Sequence, residues 1–127
     1  MAITQINVSS PTNEIVFNDS AMGNTVDGIK SSSALVYSVT IDNSLNGGAA
    51  CYVKLFNLAS GSVVVGTTAP DEIIYVPAGA VITQVYWTSS TPGKTFGTAL
   101  SAICTTTGGT AGSTSPSSNV SVTINFK

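Results

Sequence analysis

The 127-residue chain contains neither histidine nor arginine. Without histidine there is no imidazole acid or base and no histidine-bearing metal centre. Without arginine, and with four lysines scattered at Lys30, Lys54, Lys94 and Lys127, there is no clustered positive charge to read nucleic-acid phosphates. Charged residues make up only 8% of the chain, against roughly a quarter in an ordinary soluble domain. No run approaches the roughly 20 apolar residues of a membrane-spanning helix. The opening MAITQINVSS has no basic start and no apolar stretch, so secretion is not expected. Cysteine is also scarce. Cys51 and Cys104 fall on strand-like segments and are expected to be buried, reduced, small apolar side chains.

Serine, threonine, asparagine and glycine are abundant, and apolar residues alternate with them at period two. ALVYSVTID (34–42) sets Leu35, Tyr37, Val39 and Ile41 on one face and Val36, Ser38, Thr40 and Asp42 on the other. ACYVKLFN (50–57) sets Cys51, Val53 and Leu55 against Tyr52, Lys54 and Phe56. VITQVYW (81–87) divides Val81, Val85 and Trp87 from Ile82, Gln84 and Tyr86. The closing NVSVTINF (119–126) turns Val120, Val122, Ile124 and Phe126 inward. Weaker strand patterns lie at 3–8, 14–18, 62–66, 72–76 and 97–105, separated by turn-forming NSLNGG, TSSTPGK and TTTGGTAGSTSPSS. The spacing predicts one all-β domain over 1–127. It should be an antiparallel β-sandwich, jelly-roll or immunoglobulin-like, of eight to nine short strands, with residues 1–30 as an irregular arm and 31–127 as core.

The stretch GTTAPDEIIYVPAGA (66–80) holds the only adjacent acidic pair, Asp71 and Glu72. On a strand over 72–76 their side chains project to opposite faces, so they cannot act as paired catalytic carboxylates. Pro77-Ala78-Gly79 then forms a tight turn with Gly79 at positive φ. Asp19, Asn24 and Asp27 lack the alternating ligand pattern of a calcium loop. No serine has a histidine or a suitably placed lysine as base. These readings predict no enzyme, no cofactor and no metal. The aromatic residues Tyr52, Phe56, Tyr75, Tyr86 and Trp87 could line a sugar-binding platform, but at strand spacing they are read as core or interface.

Residues 48–126 carry a further pattern. A Tyr-x-Lys-Leu-aromatic strand (Tyr52 to Phe56) precedes Val-Gly-Thr (Val65 to Thr67) and Pro70. Pro-Ala-Gly (Pro77 to Gly79), Gly-x-Ala-Leu-Ser (Gly97 to Ser101), a Ser/Thr/Gly/Pro loop and a final Val-x-Val strand (Val120 to Phe126) follow. This order resembles small virion structural proteins of tailed bacteriophages. The resemblance implies a non-enzymatic structural subunit located in the virion and assembled in the host cytoplasm. Within that class a capsid decoration or cement protein on the major capsid protein is the first expectation. A tail, neck or fibre component, or a carbohydrate-binding adhesion module, is the alternative. The expected partners are the major capsid protein or other virion proteins and further copies of the chain, a trimer being one arrangement. No nucleic acid or membrane is expected as a partner. The residues expected to make contact are Ile3, Ile6, Val8, Tyr52, Phe56 and Tyr86.

Overall fold

A computed structural model describes residues 14–127. Nine strands follow one another: β1 (Ile15–Asp19), β2 (Asp27–Lys30), β3 (Ala34–Asp42), β4 (Cys51–Phe56), β5 (Glu72–Val76), β6 (Val81–Val85), β7 (Lys94–Phe96), β8 (Leu100–Thr105) and β9 (Ser121–Phe126). They form two antiparallel sheets packed as a sandwich. The first has the order β1-β9-β3-β6, with β7 also on β3, and the second has the order β2-β8-β4-β5. Part of the expected arm is thus sheet: β1 pairs with β9 and β2 with β8. The strand expected over 3–8 lies outside the described residues.

The core lies between the inner faces. Val122, Ile124 and Phe126 point inward from β9 as their alternation predicts, and Cys51, Val53 and Leu55 meet them from β4. Each fully buried aliphatic side chain of this kind contributes about 1.5–3 kcal/mol.

Strand β3 corrects its expected phase. Val36, Val39 and Ile41 are all fully buried, an odd spacing that strict alternation forbids. The cause is a bulge: β9 pairs with Val36 and then with Ser38, leaving Tyr37 as the extra residue. The Tyr37 carbonyl accepts from the N–H groups of both Tyr86 (2.8 Å) and Trp87 (3.1 Å). Upstream of the bulge the even-numbered residues face the core, and downstream the odd-numbered ones do.

The 62–66 segment is not a strand. A 3-10 turn at Ser60–Ser62 is followed by turns in which Thr67 and Thr68 N–H groups donate to the Val64 carbonyl. Pro77 to Ala80 forms the expected tight turn, with Ala80 N–H donating to Pro77 O (3.2 Å) and Gly79 at φ 70°. Non-glycine residues pay a steric penalty there. Asp71 and Glu72 part as predicted. Asp71 accepts from the Asn57 N–H (2.7 Å), and Glu72 accepts from the Tyr86 hydroxyl (2.6 Å).

Candidate binding surface

The two outer faces of the sandwich differ. The outer face of β4 and β8 is covered by the chain itself. Phe56, Val63 and Ile103 form a second buried cluster, joined by Val26, Leu58 and Val65. Phe56 is therefore not an exposed contact residue: it is 1% exposed, because segment 57–65 folds back over it. Lys54 is equally buried, and its Nζ donates to the Gly112 carbonyl at 2.9 Å. Burial lowers its pKa, since the ammonium has lost most of its water. Loop 106–118 thus passes directly over the strand. Gly112 is required for that approach: a Cβ there would sit 2.3 Å from the Thr107 carbonyl oxygen.

Tyr52, also on this face, is half-buried and lies 5.3 Å from the Tyr75 ring, tilted by 51°. Tyr86 is half-buried against the core and tied to Glu72. Its hydroxyl pKa is pushed well up by burial and by donation to that carboxylate. The five aromatics therefore do not share one platform: Phe56 is buried, Tyr52 and Tyr75 sit on the second sheet, and Tyr86 and Trp87 follow β6 of the first. Ile3, Ile6 and Val8 lie outside the described residues.

Among the described residues, nothing is folded over the polar rows of the first sheet's outer face. One row runs Asn18, Thr123, Thr40, Thr83 across β1, β9, β3 and β6. Asn18 Nδ2 donates to Thr123 Oγ1 (2.7 Å), and the Thr40 and Thr83 hydroxyls are 3.0 Å apart. The next row runs Val16, Asn125, Ser38, Val85, with Asn125 Nδ2 donating to Ser38 Oγ (3.1 Å). Polar residues occupy the middle strands, and the apolar ones stand at the rims. Val16 is 61% exposed on β1, and Val81 and Val85 are 58% and 54% exposed on β6. On the second sheet's rim strand β5, Ile73 and Tyr75 are exposed as well. Sequence reasoning did not single out Val81, Val85 or Ile73. The available signal was a pair of strands, EIIYV and VITQV, with apolar residues at both parities and one charge between them.

Three buried or half-buried groups complete the chemistry. The carboxyl groups of Asp19 and Asp27 lie against each other, and Asp27 Oδ2 is buried without a hydrogen-bond partner among the described residues. Burial and the Asp19 carboxyl push Asp27 up to about 7. Asn24 is not with them: its Nδ2 donates to Ser113 O at 2.9 Å. Cys51 and Cys104 are free, buried neighbours on the inner face of the second sheet. Donation to Cys51 and burial raise the Cys104 thiol, while accepting that bond lowers Cys51. At the end of the sandwich, buried Asn43 and Asn46 tie three loops together. Asn43 Nδ2 donates to Ala49 O and Pro77 O, and Asn46 Nδ2 to Asn43 Oδ1 and Ser118 O.

Among the described residues no helix is long and apolar enough to cross a membrane. Comparison with protein-family models, curated proteins and solved structures returns no match to this chain.

Proposed function

We propose that this chain is a non-enzymatic structural subunit of a bacteriophage particle, most specifically a capsid decoration or cement protein bound to the major capsid protein. The observation that carries the reading is the distribution of apolar side chains on the surface. In a chain with 8% charged residues, exposed large apolar side chains gather on the rim strands at Ile15, Val16, Ile73, Tyr75, Val81 and Val85, with Leu45 and Val64 the two that stand in loops. Such rims bind by backbone pairing and apolar contact, which salt screens little. The resemblance of residues 48–126 to small phage virion proteins supplies the particle as the context.

The test is stoichiometry and salt response on purified particles. A decoration protein is expected at a copy number comparable to that of the major capsid protein, measured by quantitative mass spectrometry. It should also stay bound when salt is raised to about molar. A copy number typical of a tail or neck part would move the assignment to that structure. Absence from particles, or release by moderate salt, would refute the reading.

A further inference from the structure

Among the described residues strand β6 is the rim of the first sheet, and its backbone is split by parity. Asn43 N–H donates to Ala80 O and Tyr86 N–H to Tyr37 O, so Ala80, Ile82, Gln84 and Tyr86 direct their backbone groups toward β3. The N–H and C=O groups of Val81, Thr83 and Val85 therefore point away from the sheet. The side chains of these same three residues are exposed.

Folded monomers guard such edges with charges, proline or a bulge. Here β1 carries Asp19, β2 carries Asp27, Lys30 and a register shift, β5 carries Glu72, and β7 carries Lys94. Strand β6, Val-Ile-Thr-Gln-Val, has no charge and no proline, and it runs in unbroken register with β3.

We propose that β6 pairs antiparallel with β6 of a second copy of this chain about a two-fold axis at Thr83, joining the two first sheets into one. The strand is self-complementary in that arrangement. Val81 of each copy faces Val85 of the other on the outer side, Thr83 faces Thr83, and Ile82 faces Gln84. The outward backbone groups form about six hydrogen bonds, two for each of three directly opposed pairs. The hydroxyl row Thr123, Thr40, Thr83 continues across the axis into its mirror row, and cross-strand Thr–Thr pairs are favourable.

Charge permits it. Asp42 sits one strand inward beside Val81, and the axis places it in a row with Ser38 of the second copy, while Lys94 lies on β7, which pairs with β3 beyond Val85. No two carboxylates meet. The contact is short, about 17 Å of strand, and covers less than the ~800 Å² per partner of a standard interface. The free dimer is accordingly weak, in the micromolar-to-millimolar range. The pairing stands independently of any role in a phage particle.

Sedimentation velocity of the full chain from about 10 µM to about 1 mM tests it. The mass is expected to rise from one chain to two. V81K and V85E should each weaken the dimer at least about tenfold. The combined V81K/V85E chain should recover most of that loss, because each introduced lysine then faces an introduced carboxylate. Thr83→Pro, which removes the outward N–H and the hydroxyl contact with Thr40 but no backbone hydrogen bond between β6 and β3, should also abolish pairing while circular dichroism stays native. A chain that is monomeric throughout would overturn the proposal. So would a dimer indifferent to these variants, a combined variant no tighter than the single ones, or growth beyond two copies. Loss of the dimer on deleting residues 1–13 with V81K inert would instead assign the edge to the N-terminal segment, and would equally overturn it.

Discussion

Raising the pH from about 4.5 to about 8 should weaken this fold, the reverse of the usual behaviour of carboxylates. Asp19 closes β1 in the first sheet and Asp27 opens β2 in the second, so their carboxyl pair holds the crossing between sheets. Among the described residues no cation stands opposite the pair, and Lys30 sits at the far end of β2. Val122 stands opposite Asp19, Ala102 stands opposite Asp27, and segment 20–26 carries no charge. Asp27 is raised from 3.8 to about 7, first by burial and then by Asp19. The folded state therefore holds its proton more tightly than the unfolded chain. The stabilisation is fully present below about pH 3.8 and is lost as pH rises toward about 7.

A shift of that size is worth about 4 kcal/mol without screening. Because the residue is only half-buried, about 2 kcal/mol is the realistic figure. Asp42 works in the opposite sense, since hydrogen bonds from Ser44 lower its pKa, but its window lies below 3.8 and does not overlap. General repulsion is minor at a net charge of −2. Urea unfolding at about pH 4.5, 6 and 8 should show the midpoint falling in the wild type and staying flat in D27N. In D27N the amide stays neutral and can donate to Asp19. A wild type as stable at pH 8 as at pH 4.5, or a D27N chain with the same slope, would refute the argument.

Gly79→Val should destabilise by about 1–3 kcal/mol in chemical denaturation, since φ 70° strains a β-branched residue, while Pro70→Ala should cost less. Gly112→Ala should cost about 2–4 kcal/mol, because its Cβ collides with Thr107 and displaces the acceptor of Lys54. A thermal midpoint within a degree of wild type would show that loop 106–118 yields easily. Cys51→Ala and Cys104→Ala should each cost about 1 kcal/mol of packing. The wild-type midpoint should not respond to reductant, and a drop on reduction would reveal a disulfide.

The sandwich was legible because most inner faces advertise themselves locally. In β9, Val120 to Phe126 alternate without interruption, and the predicted face is the buried one. Strand β3 was half legible: its existence is plain, but the extra residue at Tyr37 is fixed by what β9 and β6 offer as partners. Phe56 and Lys54 were assigned to the correct face of β4, but their burial was not legible, for a similar reason. The segments that cover them, 57–65 and 106–118, read as ordinary turn chemistry and acquire their position only through long-range contacts such as Lys54 to Gly112. Strand β2 was missed because Asp27-Gly28-Ile29-Lys30 is short and has little apolar character. The rim exposure of Val81 and Val85 depends on strand order, which no local pattern carries.

The position of β9 has a consequence for how the chain acquires its structure during synthesis. Residues 121–126 lie between β1 and β3, so among the described residues β1 has no strand partner until β9, about a hundred residues later, has been translated. While β9 is still missing, the first sheet lacks its central strand, whereas β4, β5 and β8 of the second sheet have already been made. Until then Val36, Val39 and Ile41 lack the cover that β9 gives them, and the sheet should close in one late step once β9 arrives. Loss of residues 121–127 would remove far more than one strand: it would leave β1 unattached and β3 paired on one side only.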